Sequence, residues 1–100
     1  MMKILIIRFS SFGDVVLTTP VITKIKEKYP EAQIDFIVYT TFSEAITLNP
    51  KIRKTILFDK SKSKDKKYIR DLIDQLKLEN YDYVIDLHSK LLSRIILLFL

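Results

Sequence analysis

The sequence predicts an α/β fold: a parallel sheet wound in both directions from its centre, with helices on both faces. Three observations carry this reading. The run Ile4-Leu5-Ile6-Ile7 is apolar without alternation, as in a strand buried on both sides. Strand-like and helix-like periodicity then alternate four times along the 100 residues, the pattern of right-handed crossovers in a parallel sheet. Lastly, the only glycine, Gly13, lies in a turn that leaves the first strand and opens a helix, where open α/β sheets place their ligands.

The turn spans Arg8 to Pro20. Proline lacks an amide hydrogen and clashes with the carbonyl four residues back, so two helical pieces are expected here. A short turn from Asp14 to Thr18 should precede a main helix with Thr19 as its cap and Pro20 at its first position. Val21, Ile22, Ile25 and Tyr29 recur at helical spacing, Lys24, Lys26, Glu27 and Lys28 face solvent, and Pro30 ends the helix. Ile34, Phe36 and Val38 alternate through a second strand, Gln33 to Tyr39.

Thr41-Phe42-Ser43-Glu44 has the form of a capping box, which predicts a short helix turning Phe42, Ala45, Ile46 and Leu48 inward and stopping at Asn49-Pro50. Thr55 to Phe58 is the third strand. Lys60 to Lys67 holds five lysines in eight residues and reads as a solvated loop. Beyond it, Ile69, Leu72, Ile73 and Leu76 share one helical face opposite Arg70, Asp71, Asp74 and Lys77, with Asn80 as the end residue. Tyr81 to Leu87 is the fourth strand, leading through His88 and Ser89 into a last helix. Leu91 to Leu100 runs apolar to the terminus, broken by Ser93 and Arg94, which predicts a truncated chain whose final helix exposes an apolar patch. Ten residues are too few to cross a bilayer, which needs about 20.

A composition that is 48% apolar and 29% charged is that of a globular domain. With no cysteine there is neither disulfide nor thiolate metal site, and no metal is expected. The first apolar run is a short strand and not a secretory leader, so cytoplasmic residence is expected. A net charge of +5 favours anionic partners. The lysine run carries no aromatic for base stacking, so no nucleic-acid partner is expected. One glycine is too few for a dinucleotide fingerprint, and Arg8-Phe9 stands where a phosphoacceptor receiver domain would carry acidic residues. A non-catalytic basic α/β module binding an anionic ligand or nucleic acid remains the rival reading.

In the order 3-2-1-4 usual for such sheets, Asp86-Leu87-His88-Ser89 comes to lie beside Ser10 to Asp14. Ser10 and Ser11 offer hydroxyls there, Gly13 a backbone without Cβ, and Asp14 a carboxylate near the first helical amides, so a polar ligand can dock. The alternative is that Gly13 serves the turn and Asp14 caps the helix. A carboxylate in that position stays ionised and is a weak base, though one able to accept a proton in a concerted step.

The segment Ser10-Ser11-Phe12-Gly13-Asp14-Val15-Val16-Leu17-Thr18-Thr19-Pro20, directly after Lys3-Ile4-Leu5-Ile6-Ile7-Arg8, resembles the lipopolysaccharide heptosyltransferases of glycosyltransferase family 9. Tyr29-Pro30, Leu48-Asn49-Pro50 and Tyr81-Asp82-Tyr83-Val84-Ile85-Asp86-Leu87-His88 extend the resemblance. It implies the GT-B architecture, in which a first Rossmann-like domain binds acceptor and a second binds the nucleotide-sugar donor. Residues 1–100 would be most of the first domain, with the second absent. The implied reaction moves heptose from ADP-heptose to the inner core of lipopolysaccharide with inversion, without a further cofactor, the donor being held mainly by the second domain.

On this resemblance Asp14 is the general base or an electrostatic stabiliser. Arg8, Ser10, Ser11 and Gly13 would contact substrate, and His88 is a substrate contact before it is a catalyst. Lys60, Lys62 and Lys64 would meet the phosphates and carboxylates of a lipid-anchored acceptor, with peripheral contact at the inner face of the cytoplasmic membrane. Asp86 caps or orients. Ser89 stands where family members often carry glycine.

Overall fold

The computed structural model describes residues 2–88 and 90–100. Four parallel strands, β1 (Lys3–Ile7), β2 (Gln33–Tyr39), β3 (Lys54–Phe58) and β4 (Tyr83–Asp86), form one sheet in the order β3-β2-β1-β4. Ile7 lies opposite both Ile37 and Asp86, so the carboxyl ends of the central strands share one edge. The doubly wound order expected from the sequence is the order observed.

Because successive strand side chains point to opposite faces, the apolar run of β1 feeds two cores at once. Ile4 and Ile6 join Ile34, Phe36 and Val38 of β2 beneath Val15 and Ile22, from α1 (Phe12–Val16) and α2 (Thr19–Lys28). Leu5 and Ile7 join Ile37 and Tyr39 on the other face. There they meet Leu72, Ile73 and Leu76 of α3 (Lys66–Leu78) and Ile96 of α4 (Leu91–Phe99).

Several element ends differ from expectation, each for a local reason. The amino cap of α2 is Thr18 and not Thr19, and its hydroxyl donates back to the Val15 carbonyl (2.6 Å), closing α1. Thr40–Ala45 is a 3₁₀ helix. The Thr47 amide and hydroxyl both turn back to the Ser43 carbonyl, which ends the segment early and leaves Leu48 91% exposed instead of inward. β4 begins at Tyr83, because the Asp82 carboxylate is taken by the Lys3 amide at 2.8 Å. Lys66 and Lys67 belong to α3, whose cap Asp65 accepts from the Tyr68 amide. Asn80 follows α3 with a φ of 54°, the left-handed residue expected after a helix end.

In α4, Ser93 and Ile96 are buried while Leu97 and Leu98, and Leu100 just beyond the helix, keep substantial exposure. The side chains of Leu91, Leu92, Arg94 and Phe99, and all of Ser89, lie outside the described residues.

Asp35 of β2 is wholly buried in an otherwise apolar strand. Arg53 donates to it through Nε (2.9 Å) and Nη2 (2.5 Å), and the Tyr81 hydroxyl donates at 2.6 Å. Glu79 joins the network by accepting from Lys3 (2.8 Å) and Arg53 (2.9 Å). Asp35 pairs in register with Leu5 and Lys54, toward the amino ends of the strands, so this network lies away from the glycine-bearing turn.

Candidate active site

Past Ile7 the chain stays tied to β2: the Arg8 amide donates to Ile37 and the Tyr39 amide to the Phe9 carbonyl. Phe9 is buried, and Ser11, in extended conformation, becomes the amino cap of α1. Asp14 is therefore the third residue of a five-residue helix and not its cap. Its carboxylate reaches back over the first turn. Oδ2 accepts from the Ser11 hydroxyl (3.1 Å) and amide (3.5 Å), and pairs with Arg8 Nη2 at 2.9 Å. Ser11 first, then Arg8, holds this half-exposed carboxyl below its ordinary value of 3.8.

Arg8 also donates through Nη1 to the Leu87 carbonyl (2.8 Å), which stitches the end of β1 to the loop after β4. The predicted meeting of Ser10–Asp14 with Asp86–His88 thus occurs, with a guanidinium between them. Asp86 accepts from the His88 amide (2.9 Å) and from the buried Ser93 hydroxyl (3.0 Å), so it orients the loop into α4. The His88 ring meets Phe9 edge-on at 5.3 Å. Burial first, and the Arg8 charge second, push its imidazole below the usual 6.5, leaving it neutral at pH 7. Ser10 is half-buried and contributes nothing to the hydrogen bonds of the carboxylate.

A cleft of about 210 Å³ opens beside this group, lined by Arg8, Asp14, Leu17, Thr18, Val21 and Leu87. Half of its wall is apolar. Leu17 is 71% exposed at the rim, so one charged pair and several aliphatic groups face the same space. Gly13 sits in ordinary helical backbone, and a Cβ built on it would meet nothing within 4 Å. Neither the turn nor the packing requires a glycine there.

The lysine segment rises from the same edge, two strands away from β1, roughly 10 Å at ordinary interstrand spacing. Its first part is a 3₁₀ turn, Lys60–Lys62, capped by Asp59, which accepts from the Ser61 amide (3.0 Å) and hydroxyl (2.7 Å). Lys60 Nζ stands 5.8 Å from the Tyr39 ring and Lys62 Nζ 5.2 Å from that of Tyr68. Those rings belong to an aromatic cluster running from Tyr68 through Phe58 (5.0 Å) and Phe9 (5.3 Å) to His88. Lys64 is exposed. Among the described residues no cluster of three acidic or histidine side chains could hold a metal, and no helix is long and apolar enough to cross a membrane.

No protein-family model matches the chain. It is 37% identical over 83 residues to lipopolysaccharide heptosyltransferase 3 of Escherichia coli K12, an alignment covering 75% of this chain and 23% of that protein. A second heptosyltransferase 3 from Escherichia coli is 35% identical over 78 residues, again covering 75% of the chain and 23% of its own length. The chain is similar to the lipopolysaccharide heptosyltransferases. It spans about a quarter of the length of these curated relatives.

Solved glycosyltransferases share the fold. The family 9 glycosyltransferase of Veillonella parvula superposes with a TM-score of 0.89 at 21% identity, over 98% of this chain and 29% of that one. An Escherichia coli heptosyltransferase solved with ADP-2-deoxy-2-fluoro heptose gives 0.74 at 26% identity, over 85% of this chain and 29% of that one.

Proposed function

We propose that the whole protein is a heptosyltransferase that moves heptose from ADP-heptose to the inner core of lipopolysaccharide with inversion. Residues 1–100 are then the acceptor-side Rossmann-like domain of a GT-B enzyme, and a second domain holds most of the donor. The observation that carries this reading is the Asp14 carboxylate, held by Arg8 and Ser11 at the carboxyl edge of the sheet beside an amphipathic cleft.

In the reaction an acceptor hydroxyl attacks the anomeric carbon from the face opposite ADP. The new carbon–oxygen bond forms as the bond to the phosphate oxygen breaks, ADP leaves with the electron pair, and the hydroxyl proton passes to Asp14. A carboxylate with a lowered pKa is a weak base, so the transfer must be concerted with attack, when the hydroxyl has become acidic. The same negative charge stabilises positive charge developing on the sugar. The neutral His88 offers a hydrogen-bonding contact to a sugar hydroxyl, and the aliphatic wall of Leu17 and Val21 suits the carbon face of a sugar ring. Work at the inner face of the cytoplasmic membrane, by peripheral contact, follows from a lipid-anchored acceptor.

The whole protein, given ADP-heptose and a lipopolysaccharide acceptor lacking heptose, should yield acceptor heavier by one heptose. No transfer from any ADP-heptose to any such acceptor overturns the proposal.

Two further expectations arise here. Lys60, Lys62 and Lys64 would attract acceptor phosphates and carboxylates as point charges. Changing all three to Ser should weaken acceptor binding and flatten its salt dependence, since exposed charges are screened within about 10 Å at 0.1 M salt. Unchanged affinity at low salt would make the segment a solvated loop only. Gly13 costs helical stability of about 0.5–1 kcal/mol relative to Ala with no return in the fold, as expected where a ligand needs close approach to the backbone. Gly13→Ala should therefore raise thermal stability slightly while raising the KM for a substrate. A more stable variant with unaltered KM would remove Gly13 from the site.

A further inference from the structure

Arg8 belongs, on the sequence, among the substrate contacts, yet its guanidinium is already engaged. Nη2 lies 2.9 Å from Asp14 Oδ2 and Nη1 2.8 Å from the Leu87 carbonyl, while Nε is buried without a partner. Its side chain is only 22% exposed. An arginine anchored at two points, one on α1 and one just after β4, has little freedom to follow a substrate.

The geometry also divides the two oxygens of Asp14. Arg8 Nη2, the Ser11 hydroxyl and the Ser11 amide all converge on Oδ2. Among the described residues no donor reaches Oδ1. A carboxylate gripped by one oxygen cannot rotate about its last torsion without breaking these contacts, so the other oxygen points in a fixed direction.

We propose that Arg8 is a positioning residue for sugar transfer, acting through Asp14: it and Ser11 clamp Oδ2 so that Oδ1 is the atom presented to the acceptor hydroxyl. Through Leu87 the same guanidinium sets the distance between α1 and the loop that carries His88. This inference rests on the reading of Asp14 as the reacting carboxylate. The charged group that acts on Asp14 is Arg8 from the end of β1. Around His88, in the loop after β4, stand Arg8, Asp86, Lys90 and Asp14 itself.

The test uses Arg8→Gln and Arg8→Lys in the whole protein, with two readouts. Steady-state transfer separates kcat from the acceptor KM. A carbon-13 NMR titration of the Asp14 side-chain carboxyl follows the pair without reference to activity. Arg8→Gln should lower kcat by about 10²-fold, the scale of losing alignment of a reacting group, with the acceptor KM nearly unchanged. The Asp14 midpoint should move up, because a positive charge that favoured the carboxylate is gone, and the acid limb of the pH–rate profile should move up with it. Arg8→Lys keeps the charge and should recover much of the rate.

An acceptor KM raised tenfold or more at unchanged kcat makes Arg8 a substrate contact and overturns the proposal. So does an Asp14 midpoint that does not move in Arg8→Gln. A midpoint that moves while every rate stays at the parental value upholds the clamp and overturns the reading of Asp14 as the reacting group. The two failures are therefore distinguishable.

Discussion

Asp35→Ala should destabilise the domain by about 3–5 kcal/mol, the usual cost of removing one member of a buried ion pair. Asp35 has no exposure and takes three hydrogen bonds, two from Arg53 and one from Tyr81. Its loss strands the Tyr81 hydroxyl, whose pKa burial first and the Asp35 carboxylate second already push above the ordinary 10.0. Arg53 fares better, because it retains Glu79 and is partly open to water.

Replacing the group together, with Asp35→Leu, Arg53→Met and Tyr81→Phe, should recover most of the loss, since apolar side chains of similar volume often substitute for a buried pair without penalty. Urea unfolding reads both. A change under 1 kcal/mol in Asp35→Ala would mean that Asp35 is not the centre of the network.

Glu79 adds a pH signature. Lys3 first, then Arg53, lowers its carboxyl from 4.5 to about 2. A folded-state value below the unfolded one means stability that is complete above pH 4.5 and is lost as pH falls toward 2. Glu79→Gln should flatten that part of the acid decline, and an unaltered slope would contradict the assignment.

The strand order was legible because four alternations of strand and helix imply a doubly wound sheet, whose usual order is 3-2-1-4, and the unbroken apolar run Ile4–Ile7 marks a strand buried on both faces. Asp35 was not legible. Alternation of Ile34, Phe36 and Val38 reads as one buried face, which leaves Asp35 on a face that the sequence has no means to mark as covered. Its partners lie 18 and 46 residues away, so only the folded sheet brings them together.

At the site, the convergence of Ser10–Asp14 with Asp86–His88 followed from topology alone. The Arg8–Asp14 pair did not, because its residues belong to a strand end and a one-turn helix with no fixed spacing between them. Leu17 and Val21 read as ordinary helical apolar positions, and only their placement on the cleft wall separates them from core. The lysine run looked free of aromatics in sequence. Tyr39 and Tyr68, from β2 and α3, supply the rings over which Lys60 and Lys62 stand. A further signal was available in Tyr68, whose hydroxyl accepts from the Asp59 amide (3.0 Å) and so pins the start of that loop.

The central claim is that Asp14 does chemistry and not merely local structure, and Asp14→Asn separates the two. Asparagine keeps an oxygen for the Ser11 hydroxyl and for Arg8, and at this third helical position it loses only a half-exposed charge, whose interactions with the helix dipole and with Arg8 are each weakened by solvent, so the turn should stay folded. It cannot take a proton as a carboxylate does. The deciding measurement is single-turnover sugar transfer by the whole protein at saturating donor and acceptor, paired with thermal unfolding of the same preparation. With Asp14→Asn, the melting temperature should stay close to the parental value while the transfer rate falls on the order of 10²- to 10⁴-fold, the range for losing general-base help. Transfer at close to the parental rate would contradict the account, make Asp14 a structural partner of Arg8 and Ser11, and move the search for the proton acceptor to His88.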